Sequence, residues 1–132
     1  MTDFEFLIPR RPLSLQANSG RLQSWKKFVS EEAEKVWTGA IASEGDLQIT
    51  LVYLCKDDPP DTDNIIKPIQ DALVGLVYID DSLISDVDCH RRFLASTFDI
   101  TQLPQLVVSG IRGQHECVYV RVRSSRKLEE YP

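Results

Sequence analysis

The stretch DLQITLVYLCK, residues 46–56, constrains the fold most, because its alternation predicts a strand with apolar side chains on both faces. One face carries Leu47, Ile49, Leu51, Tyr53 and Cys55. On the other face, Val52 and Leu54 are also apolar. Such a strand needs cover on both sides, so we expect it to be central in its sheet, or at least well covered.

The remaining elements alternate unevenly along the chain. The predicted strands are 3–9, 46–56, 76–79, 84–95 and 117–123. The predicted helices are 21–37, 64–73 and 102–112. The second helix contains Pro68, which fits only if the helix begins shortly before it, and Gly75 is a natural stop after it. The class is therefore α/β in the mixed α+β sense, with one mixed β-sheet packed with helices.

Size and composition indicate one domain, 1–132, with 124–132 expected to be a frayed tail. The 132 residues are 42% hydrophobic, which is enough for a single core. No apolar run approaches the roughly 20 residues of a membrane helix, and the start MTDFEFLIPRR does not resemble a signal peptide. We therefore expect a cytoplasmic protein without membrane contact.

The three cysteines, Cys55, Cys89 and Cys117, are widely spaced and form no C-x-x-C pair. Each lies in a strand-like run, so we predict buried thiols. A zinc site would need closely spaced partners, and the chain offers only His90 and His115. The sequence therefore argues against zinc.

The net charge of −5 argues mildly against a nucleic-acid binder, unless a bound cation neutralises a group of acids. The basic residues nevertheless cluster, and each cluster could be a solvated face or a DNA contact. The clusters are Arg10, Arg11, Arg21, Lys26 and Lys27, then Arg91 and Arg92, then Arg112, Arg121, Arg123, Arg126 and Lys127. We take Arg10, Arg11, Lys26, Lys27, Arg91 and Arg92 as candidate DNA-binding residues.

The segment PPDTDNIIKPIQDALVGLVYIDDS, residues 59–82, concentrates like charge between apolar runs. Asp61 and Asp63 are expected on an extended segment with both side chains pointing the same way. Asn64, Lys67 and Asp71 fall on the polar face of the helix that follows.

Asp80 and Asp81 follow the predicted strand 76–79. If that strand pairs beside 46–56, its end returns close to Asp61 and Asp63. Three converging carboxylates would repel one another, and a divalent ion with hard oxygen ligands, usually Mg²⁺, relieves the repulsion. A nearby lysine can orient a water or offset charge on phosphorus, which is the chemistry of phosphodiester hydrolysis.

Each part of this pattern also has an ordinary structural explanation. Asp63 could cap the helix, and IDDS, residues 79–82, could be a simple turn. The complete spacing is what favours a functional site.

The spacing resembles the signature of the RusA-type Holliday junction resolvases, a family of Mg²⁺-dependent endodeoxyribonucleases. Their pattern P-D-x-D-N-x-x-K-x-x-x-D-A-L, followed after about half a dozen residues by D-D, is met from Pro60 to Leu73 and by Asp80-Asp81. The close match covers roughly a fifth of the chain, and the order of strands and helices around it also suits the family.

The resemblance implies a role for each matching residue. Asp61, Asp63 and Asp81 match the metal-binding, catalytic acids, and Lys67 matches the catalytic lysine. The positions with supporting roles are Asn64, Asp71 and Asp80. The resemblance also implies Mg²⁺ as cofactor, with Mn²⁺ as a substitute. It further implies a homodimer that makes paired nicks in branched DNA (a four-way junction, fork or flap) during recombination and repair.

Three questions stay open at this point. A non-catalytic accessory protein on the same fold would keep the DNA-binding surface but would not cleave DNA. A sugar-nucleotide transferase would also use a D-x-D motif, although the later D-D pair is not part of the pattern of such enzymes. Residues 96–115 could form a packing helix, a dimer contact or a DNA-facing element.

Overall fold

The computed structural model describes residues 2–131 and forms a single small α+β domain, which confirms the predicted class. Its elements are β1 (Asp3–Ile8), α1 (Ser19–Glu34), β2 (Leu47–Cys55), α2 (Thr62–Ala72), β3 (Ile84–Phe93), α3 (Gln105–Gly113) and β4 (Cys117–Ser124). Short 3₁₀ turns occupy Asp81–Leu83 and Leu128–Glu130. Met1 and Pro132, which the predicted domain includes, lie outside the described residues.

The four strands form one mixed sheet in the order β1-β4-β2-β3. β4 runs antiparallel to both β1 and β2, whereas β2 and β3 are parallel, with Leu47 opposite Ile84 and Cys55 opposite Phe93. β2 is an inner strand, as its two apolar faces predicted. Because β2 and β3 are parallel, the chain must cross over between them, and α2 lies within this crossover.

Helices cover both faces of β2. α1 and α2 pack on one face over the main core, to which Ile49, Leu51 and Tyr53 contribute. α3 packs on the other face, beside a smaller cluster of Leu54, Leu94 and Cys117. Within residues 96–115, the structure therefore forms a packing helix, one of the three roles considered.

The predicted strand at 76–79 is wrong. This segment is a turn in which Tyr78 makes only isolated bridges with Ala42 and Val74, and the place beside β2 belongs to β3. Val77 and Tyr78 are buried, and the Tyr78 hydroxyl donates to the Gln70 carbonyl at 2.6 Å. The apolar run reflects burial beneath the helices, not membership of the sheet.

Both long helices begin two residues earlier than predicted and also end before their predicted last residues. α1 ends at Glu34 rather than Trp37, which leaves Val36 52% exposed, while the Trp37 indole donates to the Leu76 carbonyl at 2.9 Å. α2 begins at Thr62, two residues before the predicted start.

Pro68 lies in the interior of α2, seven residues in, and not near its start. Proline has no N–H, so the carbonyl of Asn64, four residues earlier, loses its helical donor. The Leu15 N–H donates to that carbonyl instead, at 2.8 Å. The β1–α1 loop is thereby docked onto the first turn of α2.

The C-terminal segment contains a 3₁₀ turn where a frayed tail was expected. The Tyr131 hydroxyl donates to Gln48 Oε1 at 2.9 Å and accepts from the Arg126 N–H at 3.2 Å. Among the helices of residues 2–131, none combines the length and apolarity needed to cross a membrane.

Candidate active site

Asp61 and Asp63 flank the beginning of α2. Asp61 is the N-cap residue, with extended backbone, yet its side chain makes no capping hydrogen bond. Asp63 lies in the first helical turn, where the positive end of the helix dipole favours a carboxylate. The prediction that both acids lie on an extended segment is therefore wrong, because the helix includes Asp63. Both side chains remain exposed.

Asp61 and Asp63 line an open cavity of about 500 Å³, which we call the acid cavity. Its other lining residues are Thr62, Cys89, His90, Arg91 and Arg92. The cavity lies beyond the carboxyl end of β2, beside the last residues of β3, the edge at which α/β sheets commonly bind ligands. Asp61 and Asp63 therefore share the lining of one solvent-accessible cavity with Arg91 and Arg92.

Arg11 and Glu116 fix the loop that leads from β2 to Asp61. Arg11 Nη1 donates to the Asp57 carbonyl at 2.6 Å and pairs with Glu116 at 3.3 Å, and its Nη2 donates to the Asp58 carbonyl. Glu116 also accepts from the Lys56 N–H at 2.8 Å. Arg11, a candidate DNA contact by sequence, is thus engaged within the protein.

Lys67 is the centre of a chain of ion pairs. Its Nζ lies 2.9 Å from Asp71 and also contacts Asp81, while Asp71 is 3.4 Å from Lys26. We call Lys26, Asp71, Lys67 and Asp81 the Lys67 network. Hydrogen bonds to Asp81 and Asp71 raise the pKa of Lys67 above its ordinary value, so the amine is firmly cationic. The network also ties α1 to α2 and to the 3₁₀ turn.

The candidate acids form two neighbouring groups. Asp61 lines a cavity with Asp63, whereas Asp81 lies with Lys67, which is four residues, or about 6 Å of helical rise, beyond Asp63. Within residues 2–131, no three Asp, Glu, His or Cys side chains are grouped closely enough to hold a metal ion. The expected return of Asp81 towards Asp61 and Asp63 depended on strand 76–79, which does not form.

The supporting candidates have local structural roles. Asp80 accepts from the Ser82 N–H at 3.2 Å and caps the 3₁₀ turn, and hydrogen bonding from the Ser82 side chain and then from its backbone lowers the pKa of Asp80. Asn64 lies half-buried in the first turn of α2 and accepts the Leu15 N–H through its carbonyl. Asp71 belongs to the Lys67 network.

The donor chemistry at Asp61 and Asp63 fits a small hard cation. Mg²⁺ keeps several waters and commonly uses only one or two carboxylates together with substrate phosphate. Asp61 makes no capping bond, and neither it nor Asp63 forms an ion pair with another residue of 2–131. Asp81 contacts Lys67 through one of its carboxylate oxygens.

The remaining DNA-binding candidates differ in availability. Arg91 and Arg92 line the acid cavity, Lys27 is exposed on α1, and Lys26 is paired with Asp71. Arg10 stacks over the Phe28 ring, with its guanidinium carbon 3.7 Å from the ring centroid.

Sequence reasoning missed three residues of the site. Glu116 holds the loop before Asp61 but lies 60 positions beyond Lys56, immediately before β4, with no local signal. Cys89 was predicted only as a buried thiol and His90 was weighed only as a zinc ligand, yet both line the acid cavity. Burial raises the pKa of the Cys89 thiol to about 11.

The fold and site together define a class: a small α+β protein with an acid pair and a lysine on one crossover helix. The sequence model of the endodeoxyribonuclease RusA family matches residues 16–108 of the 132-residue chain. The chain therefore belongs to the RusA family of endodeoxyribonucleases, which sets aside a sugar-nucleotide transferase. A search of curated proteins found no match.

Proposed function

We propose that this protein is a Mg²⁺-dependent endodeoxyribonuclease that resolves Holliday junctions or related branched DNA by paired phosphodiester hydrolysis. The observation that carries the proposal is the accessible pair Asp61 and Asp63, next to Arg91 and Arg92 and one helical turn from Lys67. Membership of an endodeoxyribonuclease family supports the reaction class.

In the proposed mechanism, the carboxylates of Asp61 and Asp63 hold the metal ion. Bound Mg²⁺ or Mn²⁺ would supply Lewis-acid stabilisation of charge on the phosphoryl oxygens. Arg91 and Arg92 would bind non-reacting phosphate oxygens and orient the DNA strand. Lys67, held as a cation by Asp71 and Asp81, would stabilise negative charge that develops in the transition state or orient the attacking water.

Asp81 has two possible roles in this mechanism. Through its pair with Lys67 it would act as a positioning residue, and if it moved towards Asp61 and Asp63 it would act as a third metal ligand. An Asp81→Asn variant separates the two roles: loss of metal affinity supports the ligand role, and unchanged metal affinity with slower cleavage supports the positioning role.

The homodimer, the recombination and repair role, and the cytoplasm as compartment are part of the same proposal. Two sites in a dimer would nick two strands across a junction. The free thiols of Cys55, Cys89 and Cys117 suit a reducing compartment. Sedimentation analysis of the protein alone and with a four-way junction tests the dimer.

The alternative is a DNA-binding accessory protein that does not cut. The observation in its favour is that the acids of residues 2–131 form no three-member metal group. It predicts junction binding that Mg²⁺ does not convert into cleavage.

The deciding experiment compares wild type with Asp63→Asn on a labelled four-way junction, in Mg²⁺ and in EDTA, beside linear duplex. We expect paired, metal-dependent nicks from wild type and a loss of at least about a hundredfold in the variant. Circular dichroism establishes that the variant is folded. Binding without nicking by wild type would favour the accessory protein, and equal nicking by both proteins would remove Asp63 from the site.

A further inference from the structure

We infer that a second cavity, formed by Arg10 and Arg21, binds a backbone phosphate of the same DNA strand at a distance from the reacting phosphate. This inference rests on the proposed function for the identity of the strand. The cavity of about 420 Å³ lies between the β1–α1 loop and the beginning of α1. Its lining residues are Arg10, Arg11, Leu13, Gly20, Arg21, Ser24 and Trp25.

The charge of this cavity is opposite to that of the chain. Three arginines and no acidic residue line it, in a protein whose net charge is −5. Counter-ions or phosphates are the natural partners of such a concave basic surface. We call it the arginine cavity.

Two of the three arginines are available to a ligand. Arg11 is engaged by Glu116 and by the Asp57 and Asp58 carbonyls, so it shapes the wall. Arg21 pairs with no carboxylate of the described chain, and Arg10 is oriented by Phe28 without neutralisation of its charge.

Trp25 adds a polar group without a partner. Trp25 is among the residues that line the arginine cavity and is only 6% exposed, and its indole Nε1 has no hydrogen-bond acceptor among residues 2–131. A buried donor without an acceptor is uncommon in folded proteins. A small local shift that admits a phosphate oxygen would satisfy it.

The arginine cavity leads towards the acid site. A neighbouring cavity of about 380 Å³ shares Arg11, Leu13 and Arg21 with it and reaches Pro60, the residue before Asp61. The bond from Leu15 to the Asn64 carbonyl holds this loop against α2. The basic residues are therefore linked through this second cavity to the residue that precedes Asp61, and a phosphodiester strand that occupies both sites would follow this path.

The test measures DNA affinity in the full chain with the Asp63→Asn background, in EDTA, so that cleavage plays no part. Fluorescence anisotropy with a labelled four-way junction is recorded between 50 and 200 mM salt. We expect Arg21→Gln to weaken binding about tenfold and to reduce the salt slope by about one. Arg10→Gln should behave similarly.

The matched control is Arg112→Gln, which removes one exposed arginine from α3 and should leave affinity and slope close to those of the background. If Arg10→Gln and Arg21→Gln cannot be distinguished from this control, the inference is overturned.

A second measurement locates the ligand without any cleavage. The indole N–H resonance of Trp25 is followed by NMR during addition of a short oligothymidylate, with Trp37 as internal reference. Movement of the Trp25 signal alone, abolished by Arg21→Gln, supports the inference. An unmoved Trp25 signal, or an equal shift caused by the same concentration of inorganic phosphate, contradicts a strand-binding site.

These outcomes separate the two proposals. Binding at the arginine cavity by a wild type that cuts no DNA would refute the nuclease and retain the cavity. Cleavage by wild type, together with unaltered DNA binding in both arginine variants, would support the nuclease and refute phosphate binding at the arginine cavity.

Discussion

Lys67 joins the two groups of acids, because it lies one helical turn beyond Asp63 on α2 and pairs with Asp81 of the 3₁₀ turn. Lys67→Ala should lower the cleavage rate by about a hundredfold or more at saturating DNA, since one preorganised cation is lost from the transition state. Affinity for the junction should change little. Single-turnover cleavage and anisotropy measure the two quantities.

Lys127→Ala, which removes an exposed lysine from the C-terminal segment, is the control for this change. A parallel fall in affinity and rate would instead assign Lys67 to phosphate positioning.

Cys89 offers a chemical probe of the acid cavity. Burial disfavours its thiolate and raises the pKa to about 11, so the reactive form at pH 8 is about a hundredfold scarcer than for an ordinary thiol. We expect slow iodoacetamide labelling of the folded protein that rises about tenfold per pH unit up to about pH 11. Mass spectrometry of labelled peptides measures it, and fast labelling at pH 8 would contradict the burial.

Sequence spacing predicted the residues of the site better than their contacts. Asp61, Asp63 and Lys67 lie within seven positions, so helix geometry alone brings them near one another. The Lys67–Asp81 pair and the Arg11–Glu116 pair span 14 and 105 positions, and their approach depends on the complete fold. No local pattern encodes such contacts.

At the scale of elements, Pro68 in α2 leaves the Asn64 carbonyl without a helical donor, and a tertiary hydrogen bond from Leu15 takes its place. Pro68→Ala restores an N–H that competes with Leu15 for the Asn64 carbonyl. We expect α2 to stay helical while the Leu15 amide exchanges its hydrogen at least about tenfold faster. Hydrogen-exchange NMR measures this, with Pro104→Ala before α3 as control. An unchanged Leu15 rate would show that the loop is docked by other contacts.

α3 contains a pair of glycines that tests its packing. A Cβ on Gly110 would lie 2.8 Å from Cys117 Sγ and 3.1 Å from Leu54 Cδ1, so Gly110→Ala should lower the free energy of unfolding by about 1–3 kcal/mol. Gly113, in the same helix, has no atom within 4 Å of that position. Gly113→Ala should therefore raise the free energy of unfolding by roughly 0.5–1 kcal/mol.

Urea unfolding of the two variants measures both free energies. Equal effects would mean that α3 does not pack closely on the sheet.

The inward faces of the elements were predictable where a periodic pattern coincided with burial. β2 and the inward face of α1 followed their patterns, with Trp25, Val29 and Ala33 buried as expected. The prediction of a strand at 76–79 was wrong because a short apolar run fits either a strand or a buried turn, and periodicity cannot distinguish the two.

For the whole molecule, metal binding should appear as stability. A ligand that binds only the folded state raises the free energy of unfolding, by about 1.4 kcal/mol at ten times its Kd. We expect millimolar Mg²⁺ to raise the Tm of wild type by about 4 °C and to leave Asp61→Asn/Asp63→Asn unchanged. Differential scanning fluorimetry measures the shift. Equal shifts in both proteins would place the ion elsewhere.

The global class followed from one strand, since a strand apolar on both faces requires two covering layers, and helices α1 and α2 on one side and α3 on the other provide them. The order of the strands in the sheet could not be predicted from this strand. Both 76–79 and 84–95 could have paired with β2, and only the complete packing decides between them.

The crossover between β2 and β3 has an evolutionary consequence. Every residue proposed for the chemistry, from Asp61 to Arg92, is encoded without interruption, whereas Arg10 and Arg21 come from a separate part of the chain. A single genetic exchange can therefore move all of the residues proposed for the chemistry together into a relative that carries a different front segment. Substrate preference and bond cleavage can then diversify under separate selection.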